Sequence, residues 1–165
     1  MGMAAYHPLA WHDFFVGTIG ASAAFTGLLF VAVSINLQQI LKFPHLPGRA
    51  AGTLGVLLSA LLISGFALAP AQGNRVLGLE IAVTGAVVAT QAVWVTPWKR
   101  SAADPQSPRF RHLIVLLLPS LATTAGGLSL LAGGGGGLYW VLAAVLLAFV
   151  AASINGWVLL VEILR

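Results

Sequence analysis

From Phe14 to Leu41 the sequence runs 28 residues without one charged side chain. Four further apolar runs follow, at Ala50–Ala69, Val76–Val95, Leu113–Leu131 and Leu138–Leu164. A helix rises about 1.5 Å per residue, so about 20 residues cross the ~30 Å hydrocarbon core of a bilayer. The pattern predicts an all-α, polytopic transmembrane bundle of five spans, a single membrane domain over 1–165. The first and last runs, at roughly 27 residues or ~40 Å, are expected to tilt or to project past the core. No ten-residue stretch alternates in polarity as a barrel strand would. Only 7% of the residues are charged, against about 25% in soluble domains. That is too little charge to cover a surface in water, so lipid is the expected solvent.

The basic residues set an orientation. Lys42 and Arg49 follow span one, Lys99, Arg100, Arg109 and Arg111 lie between spans three and four, and Arg165 follows span five. With five spans these share one side, leaving only Arg75 opposite. The positive-inside rule then predicts the N-terminus outside and the C-terminus in the cytoplasm. A four-span alternative, with the Gly-rich stretch 133–137 re-entrant, moves Arg165 to the wrong side. No cleavable signal peptide is expected, because the first run is too long for one and lacks a basic lead. The net charge of +4 is therefore read as topological, and no nucleic-acid partner is expected. Lys99, Arg100, Arg109 and Arg111 are candidates for contact with anionic headgroups or with a protein partner.

One phrase occurs twice. Residues 30–36 read FVAVSIN and residues 149–155 read FVAASIN. Each copy sets an amide, Asn36 or Asn155, into an apolar run. Spans one and five point the same way, so both copies fall in the same leaflet. An amide in hydrocarbon needs partners, which neighbouring helices usually supply. Two readings stand. The amides hydrogen-bond across helix seams, to each other or to backbone carbonyls, with Ser34 and Ser153 assisting, or they line a conduit.

Other polar residues recur at helical spacing. Thr18, Ser22, Thr26 and Asn36 share an arc of span one, beside Gly20, Ala23, Ala24 and Gly27. Gly52, Gly55 and Ser59 give span two a small-residue face. Glu80, Thr84 and Gln91 align in span three. Ser120, Thr123, Thr124 and Gly127 align in span four, just after Pro119, an expected kink. Tight packing of small residues explains such stripes, and so does a hydrated path between spans one, three and four. Glu80 is the one acid well inside an apolar run. An ionisable group there suggests a cation or proton site, assisted by Thr84 and Gln91, or a carboxylate that reaches the outer headgroups, since it lies about five residues, or ~8 Å, past Arg75.

The chain has no cysteine, which removes thiolate chemistry. It has no GxSxG elbow, P-loop, HExxH or Ser–His–Asp set. His7, His12 and Asp13 share a side with Glu80 but lack helical metal-ligand spacing. No enzyme activity, metal or cofactor is expected.

Residues 11–50, WHDFFVGTIGASAAFTGLLFVAVSINLQQILKFPHLPGRA, resemble a group of small, largely uncharacterised multi-pass bacterial membrane proteins. The matching features are Trp11, Phe14, the Gly20–Ala24 run, Thr26-Gly27-Leu28, Phe30–Asn36, Pro47 and Arg49-Ala50. Some of that group carry the label "modulator of a membrane-bound AAA protease". The resemblance covers about a quarter of the chain, implies a bacterial inner membrane, and brings no catalytic residues. The expected function is a non-enzymatic accessory or regulatory subunit, self-assembling or part of a larger membrane complex. The alternative is an oligomeric ion or small-solute channel.

Overall fold

A computed structural model describes residues 4–43, 46–96 and 109–160, with the side chains of 109–111 outside the described set. Two 3-10 turns, Ala4–Tyr6 and Pro8–Trp11, lead into α1 (His12–Ile35), α2 (Leu37–Ile40), α3 (Leu46–Ala67), α4 (Asn74–Val95), α5 (Arg109–Ala132) and α6 (Leu138–Leu160). No strand occurs among the described residues. Five helical segments are long and apolar enough to cross a membrane: Pro8–Ile35, α3, α4, His112–Ala132 within α5, and α6. They coincide one for one with the five expected spans, the pattern of a multi-pass membrane protein.

The boundaries differ from expectation at two places. Span one does not continue as one helix to Leu41. It stops at Ile35, Asn36 adopts φ −102° and ψ 12°, and the one-turn α2 follows. An Asn side chain competes poorly in a helix interior and well at a helix end, and here it is committed to another helix. Span two begins at Leu46, ahead of the expected Ala50. Pro47 sits in its first turn, where a missing N–H leaves no helical bond unmade. The last expected residues of span five, beyond Leu160, lie outside the described set.

The helices run up and down, so their connections gather at two ends. The N-terminal turns and the connections 68–73 and 133–137 form what we call the strap end. Asn36, Arg49 and Val95 mark the far end. Helix α3 is the hub, packing against α1, α4, α5 and α6. Helix α1 packs on α3 and α6, whereas α4 and α5 form the most extensive pair. Phe15, Ile63, Ile81, Leu138 and Val141 fill the strap-end core, and Leu57, Leu159 and Leu116 fill the core nearer the far end. The outer surface is apolar too. Leu79, Val83 and Val87, one stripe of α4, are each more than half exposed, as a lipid-facing surface requires.

The α4–α5 pair closes through small residues. A Cβ at Gly85 would lie 2.5 Å from Thr124 Oγ1 and 2.9 Å from Ser120 O, and one at Gly127 would lie 2.6 Å from Gly78 O. Backbone therefore meets backbone, the contact that small-residue spacing permits between helices in lipid. Helix α5 continues through Pro119, and Thr123 Oγ1 donates to the Pro119 carbonyl at 2.9 Å.

The stretch 133–137 is a compact turn. Gly133, Gly135, Gly136 and Gly137 all have positive φ, between 51° and 110°, a region that only glycine enters freely. Gly137 N donates to Ser129 Oγ at 2.8 Å, and Trp140 Nε1 donates to Gly135 O at 2.8 Å.

Candidate functional sites: far-end amides and a strap-end cavity

The repeated phrase resolves into a chain of contacts through α6. Asn36 Nδ2 donates to the Leu159 carbonyl at 3.3 Å, tying span one to span five. Asn155 ties span five to span two. Its Oδ1 accepts from Arg49 Nε at 2.8 Å, and its Nδ2 donates to Thr53 Oγ1 at 2.8 Å. Thr53 Oγ1 in turn donates to the Arg49 carbonyl at 2.8 Å, closing a ring of hydrogen bonds around a buried amide. Asn36 and Asn155 are both buried. The two amides meet backbone and side-chain partners on other helices and do not pair with each other. Ser153 Oγ returns to its own helix at Phe149 O.

Arg49 and Thr53 were not among the expected site residues. Arg49 reads in the sequence as a topology marker, because its charge follows a span. The signal that places it inside is its spacing: Arg49 and Thr53 stand at i and i+4 at the start of a helix, so they share a face. Hydrogen bonds to charged groups contribute about 1.5–3 kcal/mol, which makes Asn155 the stronger of the two clamps. The 3.3 Å contact of Asn36 is at the long end of hydrogen-bond geometry.

The polar arc of span one faces inward, with Thr18 and Ser22 buried. Thr18 Oγ1 donates to Phe14 O at 2.8 Å. Ser22 Oγ and Thr26 Oγ1 are buried and have no hydrogen-bond partner among the described residues. The glycines expected beside that arc, in close contact with neighbouring helices, are elsewhere. Gly20 and Gly27 are exposed, as are Ala23 and Ala24. A Cβ built on Gly17, Gly20 or Gly27 would meet nothing within 4 Å.

Glu80, Thr84 and Gln91 do not converge. Gln72 Nε2 donates to Glu80 Oε2. Thr84 Oγ1 donates to the Glu80 carbonyl at 2.7 Å, inside the helix. Gln91 Nε2 reaches across to Ala51 O at 3.1 Å, and Gly55 leaves the space that the Gln91 amide occupies. In span four, Ser120 and Thr124 return their hydroxyls to Leu116 O and Ser120 O. They serve the α4–α5 seam by shape. Because α1 packs on α3 and α6, its polar arc and the stripes of α4 and α5 occupy different seams. Lys99 and Arg100 lie outside the described residues, as do the side chains of Arg109 and Arg111.

The strap end carries a cavity of about 460 Å³ with polar groups in its walls. The N-terminal segment crosses it. Asn74 Nδ2 donates to Tyr6 O at 2.7 Å, Gly136 N donates to Tyr6 Oη at 3.1 Å, and Trp11 Nε1 donates to Ala4 O at 2.8 Å. Gly137 adds a close approach, since a Cβ there would overlap Ala5 O. Leu9, Leu68, Pro70 and Leu77 supply apolar wall, and His7, His12, Gln72 and Asn74 supply polar groups. His12 Nδ1 is 3.1 Å from Asp13 Oδ1. Among the described residues no three His, Asp or Glu side chains gather as a metal site would require. Tyr6, Gln72 and Asn74 were not expected here; each lies outside the apolar runs, where periodicity carries no information.

Comparison with family models, with curated proteins and with solved structures finds no match to this chain.

Proposed function

We propose that the chain is a non-enzymatic accessory subunit of a bacterial inner membrane, with its N-terminus outside, that works by packing α1 against another helix. That helix belongs to a second copy or to a larger membrane complex. One observation carries this reading. The helical glycines of the inner seams, Gly52, Gly55, Gly78, Gly85, Gly126 and Gly127, are each filled by a neighbour, whereas α1 carries three open ones, Gly17, Gly20 and Gly27, against a single open glycine in each of α3 (Gly65) and α6 (Gly156). Gly17, Gly20, Ala24, Gly27, Val31 and Ser34 are all exposed and alternate at spacings of three and four. That is the 3.5-residue period of a helix seam. Small residues at such spacing allow the close backbone approach on which helix association in lipid depends. A channel would need its polar path between copies, since α1 packs mainly on α3 and α6.

The chain has no cysteine, so single substitutions report contacts without background. Gly20→Cys and Gly27→Cys are expected to cross-link under oxidation in native membranes, either to a second copy or to a cysteine-bearing partner. Val83→Cys, on the lipid face of α4, is the control. Mass analysis of the unmodified protein, extracted in polymer nanodiscs, then separates self-assembly from a foreign partner. A monomer with no stoichiometric partner, and cross-linking at positions 20 and 27 no stronger than at 83, would sink the proposal.

A further inference from the structure

The strap-end cavity has the construction of a ligand site. Its volume, about 460 Å³, lies within the ~300–1,000 Å³ range of small-molecule pockets, which join apolar walls to a few polar groups. It is roofed by a segment that is itself fastened, through Asn74 to the Tyr6 carbonyl and through Gly136 to the Tyr6 hydroxyl. Its floor includes Ala71, the only non-glycine with positive φ among the described residues, at 58°. Such a conformation costs about 1–3 kcal/mol and is held in place by its surroundings.

The polar groups of the cavity are biased toward one ligand chemistry. Among the described residues no Lys or Arg lines it. Gln72 does, and its amide nitrogen is already committed to the Glu80 carboxylate. With the nitrogen so held, Oε1 is the end of the amide left over, and it is buried with no hydrogen-bond partner among the described residues. An unsatisfied buried acceptor is itself a cost of about 1–3 kcal/mol, which a donor relieves. The terminal torsion of a Gln is soft, so a turn of the amide, at the expense of its contact with Glu80, presents this oxygen to a group in the cavity. One acid, Glu80, stands one hydrogen bond behind the wall through Gln72, while Asp13, next to His12, is fully exposed to solvent. Arg75, beside Asn74, is exposed and is not part of the wall. The site therefore offers an acceptor and negative charge at one side and Leu9, Leu68 and Leu77 at the other.

We propose that this cavity binds a small amphipathic organic ammonium. The ammonium donates to Gln72 Oε1 within the field of Glu80, and a short hydrocarbon body lies on the apolar wall. The inference is independent of how α1 associates.

The test uses the full chain in nanodiscs and fluorine NMR with 4,4,4-trifluorobutylammonium, corrected against empty nanodiscs. The alcohol and the carboxylate with the same fluorinated chain are the comparison probes. Saturable binding of the ammonium is expected, with both other probes weaker by at least about tenfold, the scale of one hydrogen bond to a charged group. Glu80→Gln is expected to weaken the ammonium by a similar factor and to leave the alcohol unchanged. Ala69→Trp, at an exposed position on the cavity wall, is expected to weaken all three by blocking the space. Equal binding of alcohol and ammonium would reduce the site to an apolar hole and overturn the proposal. So would the absence of saturable binding, or an Ala69→Trp protein that is folded yet binds normally.

Discussion

Two regions of this bundle use the same residue types for different ends. In the α4–α5 seam, glycines meet backbone across the interface, with Gly127 against Gly78 and Ala82 and Gly85 against Ser120 and Thr124. On α1, glycines at comparable spacing face outward and meet nothing. Helix α1 is instead held on its inner side by apolar contact with α3 and α6 and by the Asn36 amide at the far end. The difference teaches that a small-residue stripe marks a close-packed seam only where a second helix has taken it up. Where none has, the stripe is open, and under the proposed function it is the seam that a partner helix takes up.

The comparison breaks most visibly at the closed seam. Gly127→Leu forces a side chain into Ala82 N and the Gly78 carbonyl, atoms of a helical backbone that cannot move singly. Overpacking of this kind costs about 1–3 kcal/mol and sometimes more, and here the upper end is expected. Steric-trap unfolding in bicelles measures it. A loss below about 1 kcal/mol would mean that α4 and α5 separate at little cost and that their contact does not hold the fold.

Asn155→Leu is expected to come second, at about 2 kcal/mol. It removes an acceptor from Arg49 Nε and a donor from Thr53 in one step, and hydrogen bonds to charged groups carry about 1.5–3 kcal/mol each. Asn36→Leu should cost less, about 0.6–1 kcal/mol, the size of single interhelical hydrogen bonds in membranes. Its one contact is long, and leucine favours helix where Asn36 breaks it. The same unfolding measurement ranks the pair. If Asn36→Leu proved the more damaging, the view of Asn155 as the central clamp would be wrong.

These residues also show what the sequence could tell and what it could not. The five spans were legible because crossing a bilayer demands about 20 apolar residues, and the runs are that long. The need of each buried amide for a partner was legible for a similar reason, since hydrocarbon supplies none. Which way Gly20 and Gly27 face was not. In water, polarity marks the exposed side of a helix; in lipid, solvent and core are both apolar, so the pattern loses its direction. Leu79 and Val83 on the surface and Ile81 in the core belong to one run and read alike. Arg49 was hidden differently. Its charge satisfied a topological rule, which left its hydrogen-bonding role without a separate trace. The cavity was hidden because it is built from turns, where Tyr6, Gln72 and Asn74 meet across 68 residues of sequence or fewer.

The smallest expected effect bears most directly on the open face. Gly27→Ala adds a methyl group that meets no atom within 4 Å, so the monomer has no steric reason to lose stability. Alanine in a helix interior is favoured over glycine by about 0.5–1 kcal/mol, chiefly through backbone entropy. The isolated protomer is therefore expected to be slightly more stable to unfolding. Association should move the opposite way, because the methyl group holds a partner helix off the backbone. Measuring both on one preparation, unfolding in bicelles at high lipid ratio and dimer fraction by energy transfer at low ratio, gives the comparison its finest test. Opposite signs mean that α1 keeps its glycines for a partner at the expense of its own stability. A gain in stability with unchanged association means that lipid alone covers this face.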